Sequence, residues 1–347
     1  MSGATVDLRS RAAGPSRFHV NRRAVVVCLT MLLVVAALAV VTVTAGDLGI
    51  PPADLPAVLA GNGSRAQDWV LWTNRLPRLL VAVGAGAAFA VPGSIFQSIT
   101  RNPLGSPDVI GLGAGAAAGA AVAALVWPGL VPVPVGALIG CLVAVGAVLL
   151  GAGRGVRAPY RMVVVGIAVG AMAMALVQFV LARSSQEEAT VLAVWLNGSL
   201  QSRRWSDVLT IAVALLVLLP AAFALTGRLQ VLEMGDDSAV GLGVSPAWTR
   251  RLAIGVGVAL TAAAVSVAGP VAFVALTAPQ IARRLTRSTG PGMVAAACTG
   301  AAVLVTADLL AQHAPWGVQY PVGVLTAALG GVYLAFLLVR EWRKGTA

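Results

Sequence analysis

The sequence predicts an all-α protein that crosses a membrane many times. Of its 347 residues, 58% are hydrophobic and only 11% are charged, whereas soluble domains carry about 25% charged residues. The apolar residues form ten separate runs of about 20 residues, the length at which a helix crosses the hydrocarbon core of a bilayer. The short connections between these runs leave no room for an ordinary soluble enzyme, and the hydrophobicity excludes a disordered chain.

The chain begins with a polar, arginine-rich segment at residues 1–23, followed by an apolar run at 24–45. This run is longer than the roughly 7–15 residues of a signal-peptide core, so we expect a retained first span with its tail in the cytoplasm. The mixed segment 46–74 carries Trp69 and Trp72, as membrane interfaces do. Nine further spans are predicted, at residues 79–99, 109–127, 132–151, 162–182, 207–226, 249–268, 270–286, 292–311 and 321–339.

The eighth of the ten runs, at residues 270–286, differs from the others because Gly269, Pro270 and Pro279 interrupt the apolar pattern there. Proline removes a helical hydrogen bond, so this pattern predicts a broken or re-entrant helix. Irregular backbone at membrane depth is tolerated only where protein or a water-filled path covers it.

The basic residues predict the orientation of the spans. The net charge is +11, and 23 of the 24 basic residues are arginine. With the N-terminus in the cytoplasm, the inner segments carry 18 basic residues and the outer segments carry six. Because cytoplasmic segments are enriched in positive charge, we expect a transmembrane domain at 24–340, a tail at 341–347 and both termini in the cytoplasm. The arginines lie in short clusters between the apolar runs and do not form one basic patch, which argues against nucleic-acid binding.

Residues for covalent, metal or nucleotide chemistry are scarce. The three cysteines lie within apolar runs, without the spacing of metal or disulfide sites, and we expect this chain to bind no metal or cofactor. The only lysine, Lys344, follows no glycine-rich loop, so the chain lacks a phosphate-binding loop. Any ATP-driven transport would require an ATPase in a separate chain. An intramembrane enzyme would need a paired carboxylate or a nucleophile with its base, and the pattern offers neither.

Two features each allow two interpretations. Asp308 is the clearest ionisable residue within a predicted span, and such a carboxylate serves either ion coupling in a secondary transporter or a hydrogen bond between helices. The polar segment 232–244 lies between two spans. It is either a solvated loop or a short helix, capped by Asp236 or Asp237, that docks into a partner.

A series of motifs follows in order along about residues 70–340. It comprises RLPR at 75–78, RNPLGSPD at 101–108, WLNGSL at 195–200, GLGV at 241–244, AGPVAFV at 268–274, APQIAR at 278–283, ADLL at 307–310 and PVGVLTA at 321–327. Each motif is modest alone. Together they resemble the FecCD family, which are membrane permeases of ABC importers for ferric siderophores, haem and cobalamin.

The resemblance implies a type II ABC importer permease fold of ten transmembrane helices. Two permease subunits, identical or different, would lie side by side with the path between them. An ABC ATPase dimer that uses ATP and Mg would bind on the cytoplasmic side, and a substrate-binding (lipo)protein would bind outside, on Arg75 and Arg78. The coupling segment, about residues 233–244, would contact the ATPase through Met234, Gly235, Asp236, Asp237, Ala239, Val240, Gly241, Leu242 and Gly243.

The resemblance also implies that the fifth and tenth spans line the path. The expected gate or path residues are Pro159, Tyr160, Gln178, Pro321 and Thr326. The sequence departs from the common family pattern at Gln280, Gln312 and Gln319. We expect a permease subunit of a bacterial cytoplasmic membrane that imports a ferric siderophore and performs no covalent chemistry; the alternative is an ion-driven secondary transporter that uses Asp308.

Overall fold

The computed structural model describes residues 22–46, 49–153, 159–314 and 320–345, and regular secondary structure in these ranges is helical throughout. Its α-helices are α1 (Arg22–Thr44), α2 (Leu55–Leu59), α3 (Arg65–Asp68), α4 (Leu76–Thr100), α5 (Leu112–Ala121), α6 (Val133–Ala152), α7 (Pro159–Ala182), α8 (Gln186–Leu196), α9 (Trp205–Ala224), α10 (Thr226–Glu233), α11 (Asp236–Gly241), α12 (Pro246–Ala268), α13 (Val274–Thr286), α14 (Met293–Gln312) and α15 (Val322–Gly345). Two π-helical segments, Trp69–Arg75 and Val122–Val126, and a 3-10 turn, Pro107–Ile110, join some of them.

Seven helices in the described ranges are long and apolar enough to cross a membrane. They are α1, the continuous helix Arg65–Thr100, α6, α7, α9, α12 and α14. A shorter apolar helix, Leu112–Val126, occupies the predicted span 109–127. The predicted span 270–286 contains the 13-residue α13, and the predicted span 321–339 overlaps the 24-residue α15. The prediction of an all-α, multi-pass membrane protein is confirmed. The third and eighth predicted spans contain helices shorter than a full crossing, whereas α15, at the tenth, has 24 residues.

Hydrogen bonds between helix ends sort those ends into two opposite sides of the bundle. On one side, Arg23 Nε donates to the Leu285 carbonyl at 2.6 Å, which joins the start of α1 to the end of α13. On the other side, Arg75 Nη1 donates to the Ala45 carbonyl at 2.9 Å, beyond the end of α1. The start of α1 and the end of α13 therefore share a side, which we call the inner side, and the end of α1 and Arg75 lie on the opposite side, which we call the outer side.

Helix α4 lies at the centre of the bundle and is buried along most of its length. It packs against α12, α13 and α14, and small residues bring these helices close together. At Gly93, a Cβ atom would overlap the Ala275 carbonyl of α13. In lipid, where no hydrophobic force drives helices together, such close backbone contact is a main source of packing energy.

The eighth predicted span is broken, as its prolines and glycine indicated. Helix α12 ends at Ala268 and α13 begins at Val274, and the connection, residues 269–273, is here called the α12–α13 tip. Gly269 (φ +71°) and Phe273 (φ +68°) both adopt left-handed backbone conformations there. Glycine does so freely, whereas Phe273 does so against the steric preference of its Cβ atom. The tip is therefore a strained connection held by its neighbours.

Several short elements were not anticipated. Helix α8 begins with a capping box, in which the Ser185 hydroxyl accepts from the Glu188 amide and the Glu188 carboxylate accepts from the Ser185 amide. This Ser-x-x-Glu pattern is readable from sequence. At the chain ends, α1 begins at Arg22 and α15 continues to Gly345, so most of the predicted tail at 341–347 is helical. Most of the predicted tail at 1–23 lies outside the described residues.

Candidate functional site

The two arginines expected to dock a binding protein both have partners within the chain. Arg75 is the last residue of a π-helical segment, and its Nη1 donates to the carbonyls of Thr42 and Ala45. These carbonyls lie at the C-terminal end of α1, where helices leave carbonyl groups unpaired and where the helix dipole favours a cation. Arg75 thus caps α1.

Arg78 forms a bidentate ion pair with Asp308, which joins α4 to α14. Its Nε and Nη2 atoms donate to the two carboxylate oxygens at 2.8–3.1 Å. Gln312 Nε2 donates to the same carboxylate at 2.8 Å. The side chains of Arg78 and Asp308 are only 12% and 5% exposed, so this is a buried pair whose strength depends on its good geometry.

This ion pair decides between the two interpretations of Asp308. A carboxylate that a guanidinium already neutralises bridges two helices, and it must break that pair before it can bind a transported cation. The helix-bridging interpretation therefore fits the structure. For docking, Arg75 Nε and Nη2 and Arg78 Nη1 make no hydrogen bond within the described part of the chain, so these are the groups a partner carboxylate would reach.

The predicted coupling segment is a short helix, α11, on the inner side of the bundle. Gly235 (φ +119°) turns the chain between α10 and α11. Met234, Val240 and Leu242 are 68%, 64% and 61% exposed, while Ala239 is fully buried. One side of the segment thus packs on the core while the other presents large apolar side chains, as protein-binding surfaces do.

Asp236, at the start of α11, is held by two arginines. Arg250 Nη1 and Nη2 donate to its carboxylate at 2.9 and 2.8 Å, and Arg101 also pairs with it. Hydrogen bonding from Arg250 lowers the pKa of Asp236 below its ordinary value, so the carboxylate is ionised at neutral pH. Sequence reasoning identified Asp236 but not these partners, because Arg101 lies 135 residues away in the chain.

A second ion pair lies at the end of α10, beside the coupling segment. Arg283 Nη2 of α13 donates to Glu233 Oε1 at 2.8 Å and to Ser98 Oγ of α4 at 3.0 Å. The sequence places Glu233 within the predicted segment, but nothing in the pattern indicated which arginine would pair with it. The carboxylates of Glu233 and Asp236 therefore connect the segment to three helices of the core.

The expected gate and path residues whose side chains the structure describes differ in exposure. Pro159 and Tyr160 begin α7, and their side chains lie outside the described part. Gln178 is exposed on α7, and Pro321 is half-buried before α15. Thr326 is buried: its hydroxyl donates to the Gly323 carbonyl at 3.0 Å, and it borders a cavity of about 210 Å³ between α13, α14 and α15. Its side chain thus faces the interior of this subunit.

The structure adds Asp108, which sequence reasoning did not single out within its motif. Asp108 is exposed to a cavity of about 430 Å³ bounded by Ser106, Phe89, Leu196 and the α12–α13 tip. Its carboxylate makes no hydrogen bond with the described residues. The sequence feature that could have drawn attention to Asp108 is its position, since a carboxylate at the start of an apolar run is a candidate functional residue.

The cysteines and histidines form no centre of their own in the described part. Cys28, Cys141 and Cys298 are free thiols. Over residues 22–46, 49–153, 159–314 and 320–345, no group of three His, Cys, Asp or Glu side chains is placed to hold a metal ion. The groups with recognisable chemistry are therefore the ion pairs and the exposed apolar surface of the coupling segment.

Comparison with curated proteins gives a consistent result along the whole chain. The sequence profile of the FecCD transport family matches residues 29–340. The ferric enterobactin transport system permease protein FepG of Escherichia coli (strain K12) is 40% identical, over 94% of this chain and 99% of its own length. The Fe(3+)-citrate import system permease protein YfmE of Bacillus subtilis (strain 168) is 33% identical, over 93% of this chain and 98% of its own length.

Comparison with solved structures supports the same fold. An inward-facing metal-chelate type ABC transporter superimposes with a TM-score of 0.81, covering 90% of this chain and 99% of that chain at 24% identity. The motifs, the helical bundle and the full-length sequence matches lead to one conclusion: this chain belongs to the FecCD transport family.

Proposed function

We propose that this chain is the membrane permease subunit of a binding-protein-dependent ABC importer that carries a ferric siderophore. The observation that carries the proposal is the full-length similarity to permeases named for ferric enterobactin and Fe(3+)-citrate transport. Both of these cargoes are ferric chelates. A wide path with small, apolar walls suits such large ligands, because weak contacts let the cargo leave as readily as it enters.

In this proposal the chain crosses the membrane ten times and both termini are cytoplasmic. Helix α13 and the tip together make the eighth crossing, and α8 lies at the outer surface. Two observations support this arrangement: the 18-to-6 division of basic residues and the hydrogen bond that places the start of α1 beside the end of α13. A second permease subunit, identical or related, completes the path.

Transport proceeds by alternating access. The binding protein docks outside at the free N–H groups of Arg75 and Arg78, and the ATPase dimer binds the apolar surface of the coupling segment inside. ATP and Mg act in the ATPase, and this chain binds no cofactor. Gln178 and Pro321 border the path, with Pro159 and Tyr160 at its inner gate and Thr326 on the side of α15 that faces α13 and α14.

An ion-driven secondary transporter is the competing function. It would need Asp308 to gain and lose a cation during each cycle. The bidentate pair with Arg78 opposes that role, because releasing the carboxylate would leave a buried guanidinium without a partner.

Uptake of radioactive iron into proteoliposomes tests the proposal. The permease is reconstituted with its ATPase and binding protein, and ferric enterobactin and ferric citrate serve as probes. We expect uptake that requires ATP inside and the binding protein outside. Uptake by the chain alone, driven by a proton or sodium gradient and indifferent to the ATPase, would overturn the proposal.

A further inference from the structure

Two carboxylates tie the coupling segment to α12 and α13, and one of them, Asp236, also pairs with Arg101 at the end of α4. Glu233 accepts a hydrogen bond from Arg283 of α13 at 2.8 Å. Asp236 accepts two from Arg250 of α12, at 2.8 and 2.9 Å. The two carboxylates flank the turn at Gly235, so a short stretch of chain holds both helices at their inner ends.

The two helices held in this way are the pair that meets at the α12–α13 tip. At the tip, Phe273 packs so closely on α15 that a Cβ atom on Gly330 would overlap it. A Cβ atom on Gly198, beyond the end of α8, would come within 2.8 Å of the Pro270 carbonyl oxygen. The α12–α13 hairpin therefore runs from the coupling segment to α15, the helix proposed to line the path, and to the chain that follows α8.

Helix α13 is suited to carry a displacement along its length. It has 13 residues, about 20 Å at 1.5 Å per residue, and it is fastened sideways to α4. Gln280 Nε2 donates to Gln97 Oε1 at 2.9 Å, and Gln97 Nε2 donates to the Leu276 carbonyl at 3.0 Å. These bonds lie on either side of Pro279, which removes one helical hydrogen bond from α13. They brace the helix where it would otherwise bend, so a movement at Arg283 is carried to Phe273.

The ion pairs add a property that packing alone lacks. Apolar contact transmits a push, since atoms resist overlap, but it resists separation only weakly. A charge-assisted pair resists separation as well, because pulling it apart leaves charges without partners. The Arg250 side chain is only 4% exposed, so its separation from Asp236 is especially costly. Such links return the hairpin when the ATPase subunits move apart.

We propose that the Glu233–Arg283 and Asp236–Arg250 pairs are the links through which movement of the coupling segment enters the membrane, and that the α12–α13 hairpin carries it to α15. This inference rests on the proposed function, since it requires an ATPase to move the segment. The four side chains are positioning residues: they touch neither cargo nor nucleotide.

The chain supplies matched controls for a test. Arg251 and Arg284 directly follow the two pairing arginines, are exposed, and make no hydrogen bond in the described part. Arg250→Gln and Arg283→Gln are compared with Arg251→Gln and Arg284→Gln in the reconstituted transporter. The measurement is ATP hydrolysed per iron chelate imported. We expect the ratio to rise by about tenfold in the first two variants and to stay at the wild-type value in the controls.

Further measurements separate lost coupling from lost folding. The first two variants should still co-purify with the ATPase and hydrolyse ATP, and the exchanged pair Glu233→Arg with Arg283→Glu should recover part of the coupling. The inference would be overturned if the wild-type transporter shows ATP-dependent uptake and both Arg250→Gln and Arg283→Gln hydrolyse as much ATP per imported chelate as the wild type. That result would leave the proposed function standing. If the wild-type complex shows no such uptake, the proposed function itself fails.

Discussion

At the scale of single residues, the buried charges of the described part are paired, and their pairing explains their positions. Asp308 and Arg78 lie on helices far apart in sequence, yet they meet with bidentate geometry. The sequence alone offers a carboxylate within one apolar run and an arginine at the edge of another. It cannot show that the two neutralise each other, because that depends on which helices pack side by side.

Removal of the Asp308 charge should destabilise the protein. In Asp308→Asn the buried guanidinium of Arg78 loses its counter-charge, which costs about 3 kcal/mol in comparable buried pairs. Thermal unfolding in detergent measures the loss. In the double variant Arg78→Gln, Asp308→Asn, neither charge remains, so its loss should be smaller than the sum of the two single losses. Additive losses would show that the two side chains do not interact.

The stabilising contribution of Asp236 should depend on pH in one direction. Hydrogen bonding from Arg250 lowers the pKa of Asp236 in the folded state, so its contribution is complete above the unfolded-state pKa of about 4 and is lost as the pH falls through the folded value. The stability difference between the native protein and Asp236→Asn should therefore be constant from about pH 6 to pH 8 and should shrink in stronger acid. A difference that already vanishes near neutral pH would contradict the pairing.

At the scale of elements, the α12–α13 tip shows where sequence reasoning succeeded and where it stopped. Gly269, Pro270 and Pro279 indicated a break, and the structure contains one. The strained conformation of Phe273 could not be foreseen, because an aromatic residue seldom adopts positive φ. Its cause is tertiary: neighbours such as Gly330 on α15 hold the phenyl group in place.

Enlarging Gly330 should disturb this contact. In Gly330→Val the new side chain overlaps Phe273, and overpacking of this kind costs about 1–3 kcal/mol. Gly331 offers a control, since a Cβ atom there meets nothing within 4 Å. We expect Gly330→Val to lower the unfolding temperature and iron uptake, while Gly331→Val retains both. If the two variants have the same unfolding temperature and the same iron uptake, the conformation of the tip does not depend on its contact with α15.

The short elements illustrate the same limit. The capping box at Ser185 and Glu188 was readable from the sequence. Helix α8 itself was not predicted, because it has only 11 residues and follows a much longer apolar run. For α11, polar residues indicated a segment outside the membrane, and a capped short helix was one of two interpretations. Which of its side chains face outward was not predictable, because burial of Ala239 depends on the packing of the core.

At the scale of the whole molecule, each side of the bundle carries its own arrangement of arginines. On the outer side, Arg75 and Arg78 bind groups of this chain and retain a few free N–H groups. On the inner side, Arg250 and Arg283 hold the coupling segment through their ion pairs, while their neighbours Arg251 and Arg284 remain exposed. The count of positive charges predicts orientation, but the structure shows which charges are available to partners.

Charge reversal at Arg75 should weaken association with the binding protein. If the binding protein docks here as proposed, Arg75→Glu places a carboxylate against its acidic groups, and we expect the Kd to rise by about tenfold at low salt and less at high salt. Arg65→Glu, an exposed arginine on the same side, is the control. Surface binding experiments with the permease in nanodiscs measure both. An unchanged Kd for Arg75→Glu at low salt would refute the docking role.

The pair between Arg78 and Asp308 also bears on how the protein is made. The two residues are 230 positions apart in the chain, so Arg78 enters the membrane long before α14 has been synthesised. Until then its guanidinium must remain at the outer interface, since an unpaired charge inside the bilayer is costly. The outer end of α4 can settle into the bundle only after the ninth predicted span has been inserted. With the topology proposed above, closure of the outer half is therefore a late step of biogenesis, and a chain truncated before Asp308 should keep α4 accessible from outside.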